Sequence, residues 1–171
     1  MQRGLPPRAA RTLNPDFIEF LAALLRADAR FLIVGAHAMG VHGVPRATGD
    51  LDVWVAPDPD NAQRVWAALL DFGAPVGTLG LSARDLATER VVVQMGVPPR
   101  RIDVLTSLTG LQFDAAWRKR RVLRVDDLDL PFLGREALLR NKRETGRSKD
   151  LADADTLDRQ GGPPDGSRDD G

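Results

Sequence analysis

The segment from Phe31 to Ala56 limits the folds open to this chain more than any other part of the sequence. It begins with FLIVG, a short apolar run ended by glycine, which favours a buried strand and a turn. AHAMGVHG then leaves room for about two helical turns. Asp50 to Ala56 alternates in polarity as a strand does, which places Asp50 and Asp52 on one sheet face. The centre of the fold is therefore predicted to be strand, tight turn, short helix and strand.

Further elements are predicted on both sides of this segment. Asn14 as N-cap, with Pro15 in the first turn, begins a helix that reaches about Ala27. Periodicity predicts helices over 60–72, 82–89, 113–120, 134–145 and 148–160, and strands over 90–97, 100–106, 122–125 and 128–133, the first two antiparallel. The predicted fold class is α/β (α+β), a small mixed β-sheet with helices packed on one side. A short helical C-terminal part, about 134–160, is expected to close a cleft.

Length and composition predict one soluble domain. The 171 residues are enough for one core, placed here at 13–160, between a flexible N-terminus over 1–12 and a disordered tail over 161–171 that lacks apolar residues. No apolar run approaches the roughly 18 residues of a membrane span, and residues 1–12 lack the apolar core of a signal peptide. A cytoplasmic location without a membrane partner is expected. The absence of cysteine leaves carboxylates as the main potential metal ligands.

The Asp50/Asp52 pair is the first candidate metal site. Asp-x-Asp alone is weak evidence in an aspartate-rich chain, but only this pair lies in a convincingly apolar strand after a glycine turn. Two carboxylates about 7 Å apart along one strand face can converge on a cation. Hard oxygen ligands favour Mg²⁺ or Mn²⁺ over zinc. The alternative is a solvated pair on an edge strand. The same pattern also occurs at Asp58/Asp60, Asp127/Asp129 and Asp153/Asp155.

Asp103 is the second candidate, because Ile102, Val104 and Leu105 make its surroundings apolar. Strand alternation directs it to the sheet face of the first two acids, although a lone acid can equally belong to an exposed face. A third carboxylate allows two metal ions about 3.5–4 Å apart to share the site.

Other candidate residues concern phosphate binding. Gly35, Ala36 and His37 form a strand-to-helix turn whose backbone N–H groups suit phosphate oxygens. His37 is also readily explained as a helix-face side chain. Arg46 and Thr48 precede the acids and are expected to contact phosphate or support Asp50, the alternative for Arg46 being a surface arginine. A further candidate is Lys142, which is equally explained as a triphosphate contact or as a solvated helix residue.

The order of these motifs resembles the nucleotidyltransferases of the DNA polymerase β superfamily. Their signature joins an apolar residue, Gly and a small residue through a spacer to Asp-apolar-acid-apolar, with a later acid between apolar residues. The corresponding residues here are Val34-Gly35-Ala36, Asp50-Leu51-Asp52-Val53 and Ile102-Asp103-Val104, with residues 37–49 as spacer. Ala36 departs from the common Gly or Ser and lacks a serine hydroxyl. Within the superfamily the chain most resembles small bacterial AbiE-type proteins of abortive-infection and toxin–antitoxin systems.

The resemblance implies a minimal nucleotidyltransferase fold and transfer of a nucleoside monophosphate from an NTP with release of pyrophosphate. Asp50 and Asp52 would bind both of two Mg²⁺ (or Mn²⁺) ions, and Asp103 would bind one and assist deprotonation of the acceptor. The acceptor is open between RNA or tRNA, a protein and a small molecule, and a cognate toxin or antitoxin is a possible partner. The alternative is a catalytically silent nucleotide-binding or partner-binding module. For an RNA acceptor, the basic stretch 117–121 is the best surface, although a charged helix end explains it as well.

Overall fold

The computed structural model describes residues 13–45, 49–161, 165–166 and 168–169. A short 3₁₀ helix spans Ala83–Ala87. The helices are α1 (Pro15–Arg26), α2 (Gly35–Val41), α3 (Pro59–Phe72), α4 (Phe113–Arg118), α5 (Arg135–Thr145) and α6 (Ser148–Gln160). The strands are β1 (Phe31–Val34), β2 (Leu51–Val55), β3 (Val92–Met95), β4 (Ile102–Leu105), β5 (Arg121–Val125), β6 (Leu128–Phe132) and β7 (Arg168–Asp169).

The strands form one mixed sheet in the order β3-β4-β2-β1-β6-β5-β7. β2 lies between β1, to which it is antiparallel, and β4, to which it is parallel. β3 and β4 form the antiparallel pair predicted from the sequence. The α/β fold class with a mixed sheet is therefore confirmed, and β2, which follows Asp50, is central in the sheet.

Helices cover both faces of this sheet, so the prediction of helices on one side is wrong. All four residues of β1 are buried, with Ile33 in one apolar cluster and Leu32 in the other. α1 and α3 pack in the cluster of Ile33, whereas α4, α5 and α6 pack in that of Leu32. An uninterrupted apolar strand is typical of a sheet covered on both faces.

Local sequence signals determine where α1 begins, the helix that packs in the apolar cluster of Ile33. Asn14 caps α1, and its side chain accepts a hydrogen bond of 2.9 Å from the backbone N–H of Asp16. Pro15 follows in the first turn, where its missing N–H costs no helical hydrogen bond. Phe17, Phe20 and Leu24 are buried against the sheet by helical periodicity. This helix begins where the sequence predicts.

Only part of the predicted tail is described. Asp165 accepts hydrogen bonds of 3.2 and 3.3 Å from the backbone N–H of Glu136, and β7 pairs with β5. The contacts of these described positions are polar and backbone contacts, in keeping with the lack of apolar residues in this segment. The predicted flexible segment 1–12 and positions 162–164, 167 and 170–171 lie outside the described residues.

Along the described ranges, no helix has both the length and the apolar character needed to cross a bilayer.

Candidate active site

The strand register brings the three predicted acids together. Asp52 in β2 pairs directly with Asp103 in the parallel neighbour β4. Asp50 immediately precedes β2, two residues before Asp52, so the alternation of the chain directs both toward the same side. Asp103 is only 8% exposed, and Asp52 is half-buried. The result is a partly buried cluster of carboxylates at the end of two central strands.

Gly35 lies against this cluster at the junction of β1 and α2. Val34 pairs with Asp52 across the antiparallel strands, so the next residue passes beside the Asp52 carboxylate. Gly35 has a φ of 65°, in the left-handed region that L side chains rarely adopt. A Cβ added here would overlap Asp52 Oδ2. The glycine therefore allows both the turn and the close approach of backbone to carboxylate.

Arg101 contacts two of the three acids. Its Nε lies 2.9 Å from Asp103 Oδ1 and its Nη2 lies 3.3 Å from Asp103 Oδ2, a bidentate pair. Nη2 is also 3.5 Å from Asp50 Oδ2, and the backbone N–H of Arg101 donates to Asp50 Oδ1 at 3.2 Å. Arg101 is not among the residues predicted from the sequence. Its position two residues before Asp103, on the same strand face, is the signal that indicates the contact.

Burial raises the pKa of Asp52 from 3.8 to about 6. The carboxylates of Asp103 and Asp50 act in the same direction, and Arg101 only partly opposes them. At Asp52 the Arg101 guanidinium therefore does not offset burial and the two neighbouring carboxylates. The site favours additional positive charge.

The pKa of Asp52 predicts how the stability of the protein without divalent cation depends on pH. Between 3.8 and about 6 the folded state holds more protons than the unfolded state, so the free energy of unfolding falls as pH rises. The stabilisation by this group is complete below pH 3.8 and is lost through pH 6. We expect Asp52→Asn, measured in EDTA at neutral pH, to raise Tm by about 3 °C. Thermal melts across pH 4 to 8 test this, and an unchanged or lower Tm for the variant would contradict it.

The donor set fits a divalent cation. Asp50, Asp52 and Asp103 offer hard oxygen ligands, which Mg²⁺ and Mn²⁺ prefer. Burial first, and the neighbouring acids second, raise the pKa of Asp52, and a bound cation would offset both effects. Within the described ranges, however, no three His, Asp or Glu side chains are arranged ready to hold an ion. The Arg101 guanidinium is paired with two of the acids in this arrangement. The residues fit the cation chemically, but the carboxylates must reorient to bind it.

A cleft of about 450 Å³ opens beside Asp52. Gly35 and Ala36 line one side, and basic side chains from α5, α6 and the turn between them line the other. These basic residues are Lys142, Arg147 and Lys149. The C-terminal helices thus lie across the cleft from Asp52. This arrangement can hold an anionic ligand between the glycine turn and the basic side chains.

Two buried acids, Asp150 and Asp153, form ion pairs with basic side chains that line the cleft. Lys142 Nζ lies 3.5 Å from Asp150 Oδ1 and 3.4 Å from Asp153 Oδ2, while Arg147 Nε donates to Asp150 Oδ2 at 2.7 Å. The hydrogen bond from Arg147 lowers the pKa of Asp150 below its ordinary value. Asp153 belongs to an Asp-x-Asp pattern that the sequence analysis set aside. Its spacing of three residues from Asp150 places both on one face of α6, which is the signal for a shared partner.

The other predicted phosphate ligands have different surroundings. The His37 side chain packs edge-on against Phe17, with ring centroids 6.0 Å apart, and burial lowers its pKa. It is a supporting side chain for α2 and not part of the cleft lining. The second histidine, His42, is buried, and its Nε2 lies 2.8 Å from the Leu133 carbonyl. Arg46 and Thr48 lie outside the described residues.

The basic stretch 117–121 forms the end of α4 and the start of β5. Arg120 stacks over the Trp117 ring at 3.9 Å and donates to the Trp117 carbonyl at 2.8 Å. Arg121 donates to the Val41 carbonyl at 3.3 Å. Two of its four cations are therefore engaged within the domain, as expected for a charged helix end.

No family model matches this chain. An aminomethyltransferase from Streptomyces avermitilis is 34% identical over 134 residues, covering 73% of this chain but 34% of that protein. The chain thus spans about a third of the length of this curated relative. An alignment of this extent does not establish a shared activity.

A crystal structure of a putative nucleotidyltransferase from Thermotoga maritima resembles this chain with a TM-score of 0.52. The match has 16% sequence identity and covers 86% of this chain and 94% of the other. At this identity the likeness concerns the fold alone. The chain therefore has the mixed α/β fold seen in that nucleotidyltransferase-like structure.

Proposed function

We propose that this protein is a nucleotidyltransferase that requires Mg²⁺ or Mn²⁺ and transfers a nucleoside monophosphate from an NTP, with release of pyrophosphate. The observation that carries the proposal is the register of Asp52 beside Asp103, with Asp50 adjacent and Gly35 against the carboxylate. The fold shared with the Thermotoga maritima protein gives independent support. Lys142, Arg147 and Lys149 line the cleft opposite Asp52, together with Asp150 and Asp153, and are the cations available to a triphosphate there.

The side chains have distinct roles in this proposal. Asp50 and Asp52 would hold both of two divalent cations, and Asp103 would hold one of them and assist deprotonation of the acceptor hydroxyl. Bound there, the cations supply Lewis-acid stabilisation of charge on the α-phosphate and on the leaving pyrophosphate. The backbone N–H groups of Gly35 and Ala36 orient phosphate oxygens.

Lys142 neutralises phosphate charge from the opposite wall. Asp150 and Asp153 fix its ammonium group at the cleft, so it does not lose much side-chain freedom when the ligand binds. Arg147 and Lys149, which line the same wall, extend the positive surface. The nucleotide is therefore held between the acids and the C-terminal helices.

The proposed acceptor is RNA or tRNA, a protein or a small molecule. The AbiE-type resemblance suggests a toxin–antitoxin or phage-defence setting with a cognate partner.

The experiment measures pyrophosphate release from each of the four NTPs with Mg²⁺, in the presence of total RNA or cell lysate. Release that EDTA abolishes supports the proposal. A protein that binds NTP and cation without any release would instead be a silent nucleotide-binding module.

Replacing Lys142 by glutamine is expected to weaken NTP binding about tenfold, because a point charge near the triphosphate is lost. A fluorescent NTP analogue titrated in Ca²⁺, which does not support turnover in most such sites, measures the affinity. Arg140→Gln is the matched control, since Arg140 is an exposed cation on the same helix outside the cleft. Equal affinities of Lys142→Gln and wild type would remove Lys142 from the nucleotide site.

A further inference from the structure

The guanidinium of Arg101 is paired with two members of the acid cluster, Asp50 and Asp103. The backbone at this position is fixed from two sides: its N–H donates to Asp50 Oδ1 and its carbonyl accepts from the Leu51 N–H at 2.9 Å. The side chain, in contrast, is 31% exposed and extends along the edge of the cluster. The guanidinium can therefore leave the carboxylates by side-chain rotation while the strand stays in place.

The loop before Arg101 packs against the backbone that leads into Asp50. Pro99 lies so close to Gly49 that a Cβ on Gly49 would overlap the Pro99 carbonyl oxygen. Gly49 immediately precedes Asp50, so the loop is packed against the backbone that carries the first acid. Arg101 and Asp50 are thus held as neighbours by main-chain packing, independent of their charges.

Arg101 and a divalent cation would compete for the same carboxylate oxygens. The guanidinium is bidentate to Asp103 and reaches Asp50, and these oxygens belong to the donor set that fits a divalent cation. A carboxylate oxygen that accepts a hydrogen bond from the guanidinium is less available to a metal ion, and a metal ion held by the same carboxylates would repel the guanidinium. The two arrangements therefore exclude each other at least in part.

We propose that Arg101 is a resident counter-cation that holds Asp50 and Asp103 in the metal-free protein and that a divalent cation displaces from between them. This inference rests on the proposed function, since it takes the acid cluster as the cation site. The arginine lowers the repulsion among the acids without metal and weakens metal binding by competition. In this role it is a positioning residue and not a catalytic one.

Binding of Mn²⁺, followed by the electron paramagnetic resonance signal of the free ion, tests this inference without any measurement of activity. We expect Arg101→Gln to bind Mn²⁺ about tenfold more tightly than wild type, with a lower Tm in EDTA and a larger rise of Tm on Mn²⁺ addition. Arg101→Lys keeps the charge without the bidentate fork and is expected to fall between the two. Arg100→Gln, which removes the exposed neighbouring arginine, is the control and should match wild type.

Weaker or unchanged Mn²⁺ binding by Arg101→Gln would overturn the inference, because the arginine would then support the metal-binding arrangement. If Arg101→Gln does not fold in EDTA, Arg101→Lys decides by the same comparison. Asp52→Asn separates this result from the proposed function. If wild type binds Mn²⁺ no better than Asp52→Asn, the acids are not a cation site and the proposed function fails too. If only the arginine comparison fails, the proposed function stands.

Discussion

Asp52→Asn is expected to lower the rate of nucleotidyl transfer by about 10³-fold or more, because loss of a cation ligand removes several kcal/mol of transition-state stabilisation. Asp52 lies at the centre of the cluster, beside Asp103 in the register and beside Gly35 across the strands. The asparagine amide keeps the size of the side chain and can donate to Asp103. The packing of β2 is therefore retained while the charge is lost.

Without divalent cation, Asp52→Asn is also expected to be more stable than wild type. The raised pKa of Asp52 shows that the folded state disfavours the charged carboxylate, and asparagine removes that charge. A variant that loses activity while its Tm rises has not lost activity by unfolding. Activity and Tm measured together therefore show whether the charge of Asp52 is needed for the reaction. Asp127→Asn is the control, because Asp127 is exposed and belongs to an Asp-x-Asp pattern away from the cluster. Equal pyrophosphate release by Asp52→Asn and Asp127→Asn would show that Asp52 is not needed.

Gly35→Ala is expected to reduce transfer by about 100-fold, since a misplacement of about 1 Å at the reacting groups has an effect of this size. The new Cβ overlaps Asp52 Oδ2, so the carboxylate must move out of its position. The φ of 65° adds a backbone cost of about 1–2 kcal/mol for any residue with a Cβ. Both effects act at the turn that faces the cleft.

Gly40→Ala is the matched control for this substitution. Gly40 lies in the same helix, and a Cβ added there meets no atom within 4 Å. The substitution should leave activity unchanged and add up to about 1 kcal/mol of helix stability. Pyrophosphate release and thermal melts of both variants check the pair. Wild-type activity in Gly35→Ala would contradict the proposed arrangement of the turn and Asp52.

Part of the acid cluster follows from local sequence patterns. Alternation placed Asp50 and Asp52 on one face and predicted a strand around Asp103, whereas the register that pairs this strand with β2 is a long-range contact. The caps of α1 depend on three consecutive residues and are equally local. Such features need little information from distant parts of the chain.

Features that depend on long-range packing were harder to predict. Arg101 was not identified, because arginine is abundant in this chain and only the folded register shows which arginine faces the acids. The pairing of Asp153 with Lys142 joins two helices whose relative position the sequence does not specify. His37 was predicted to contribute a backbone N–H at the turn, and the packing of its ring against Phe17 in α1 is a long-range contact that the local pattern does not indicate.

The most direct test of the central claim compares two labels in the NTP. The protein is incubated with Mg²⁺, total RNA or lysate, and an NTP that carries radioactive phosphorus at either the α or the γ position. Nucleotidyl transfer predicts that α-label enters an acceptor, that γ-label leaves in pyrophosphate, and that EDTA or Asp52→Asn abolishes both. Entry of γ-label into the acceptor, or transfer of α-label that Asp52→Asn does not reduce, would contradict the proposed function.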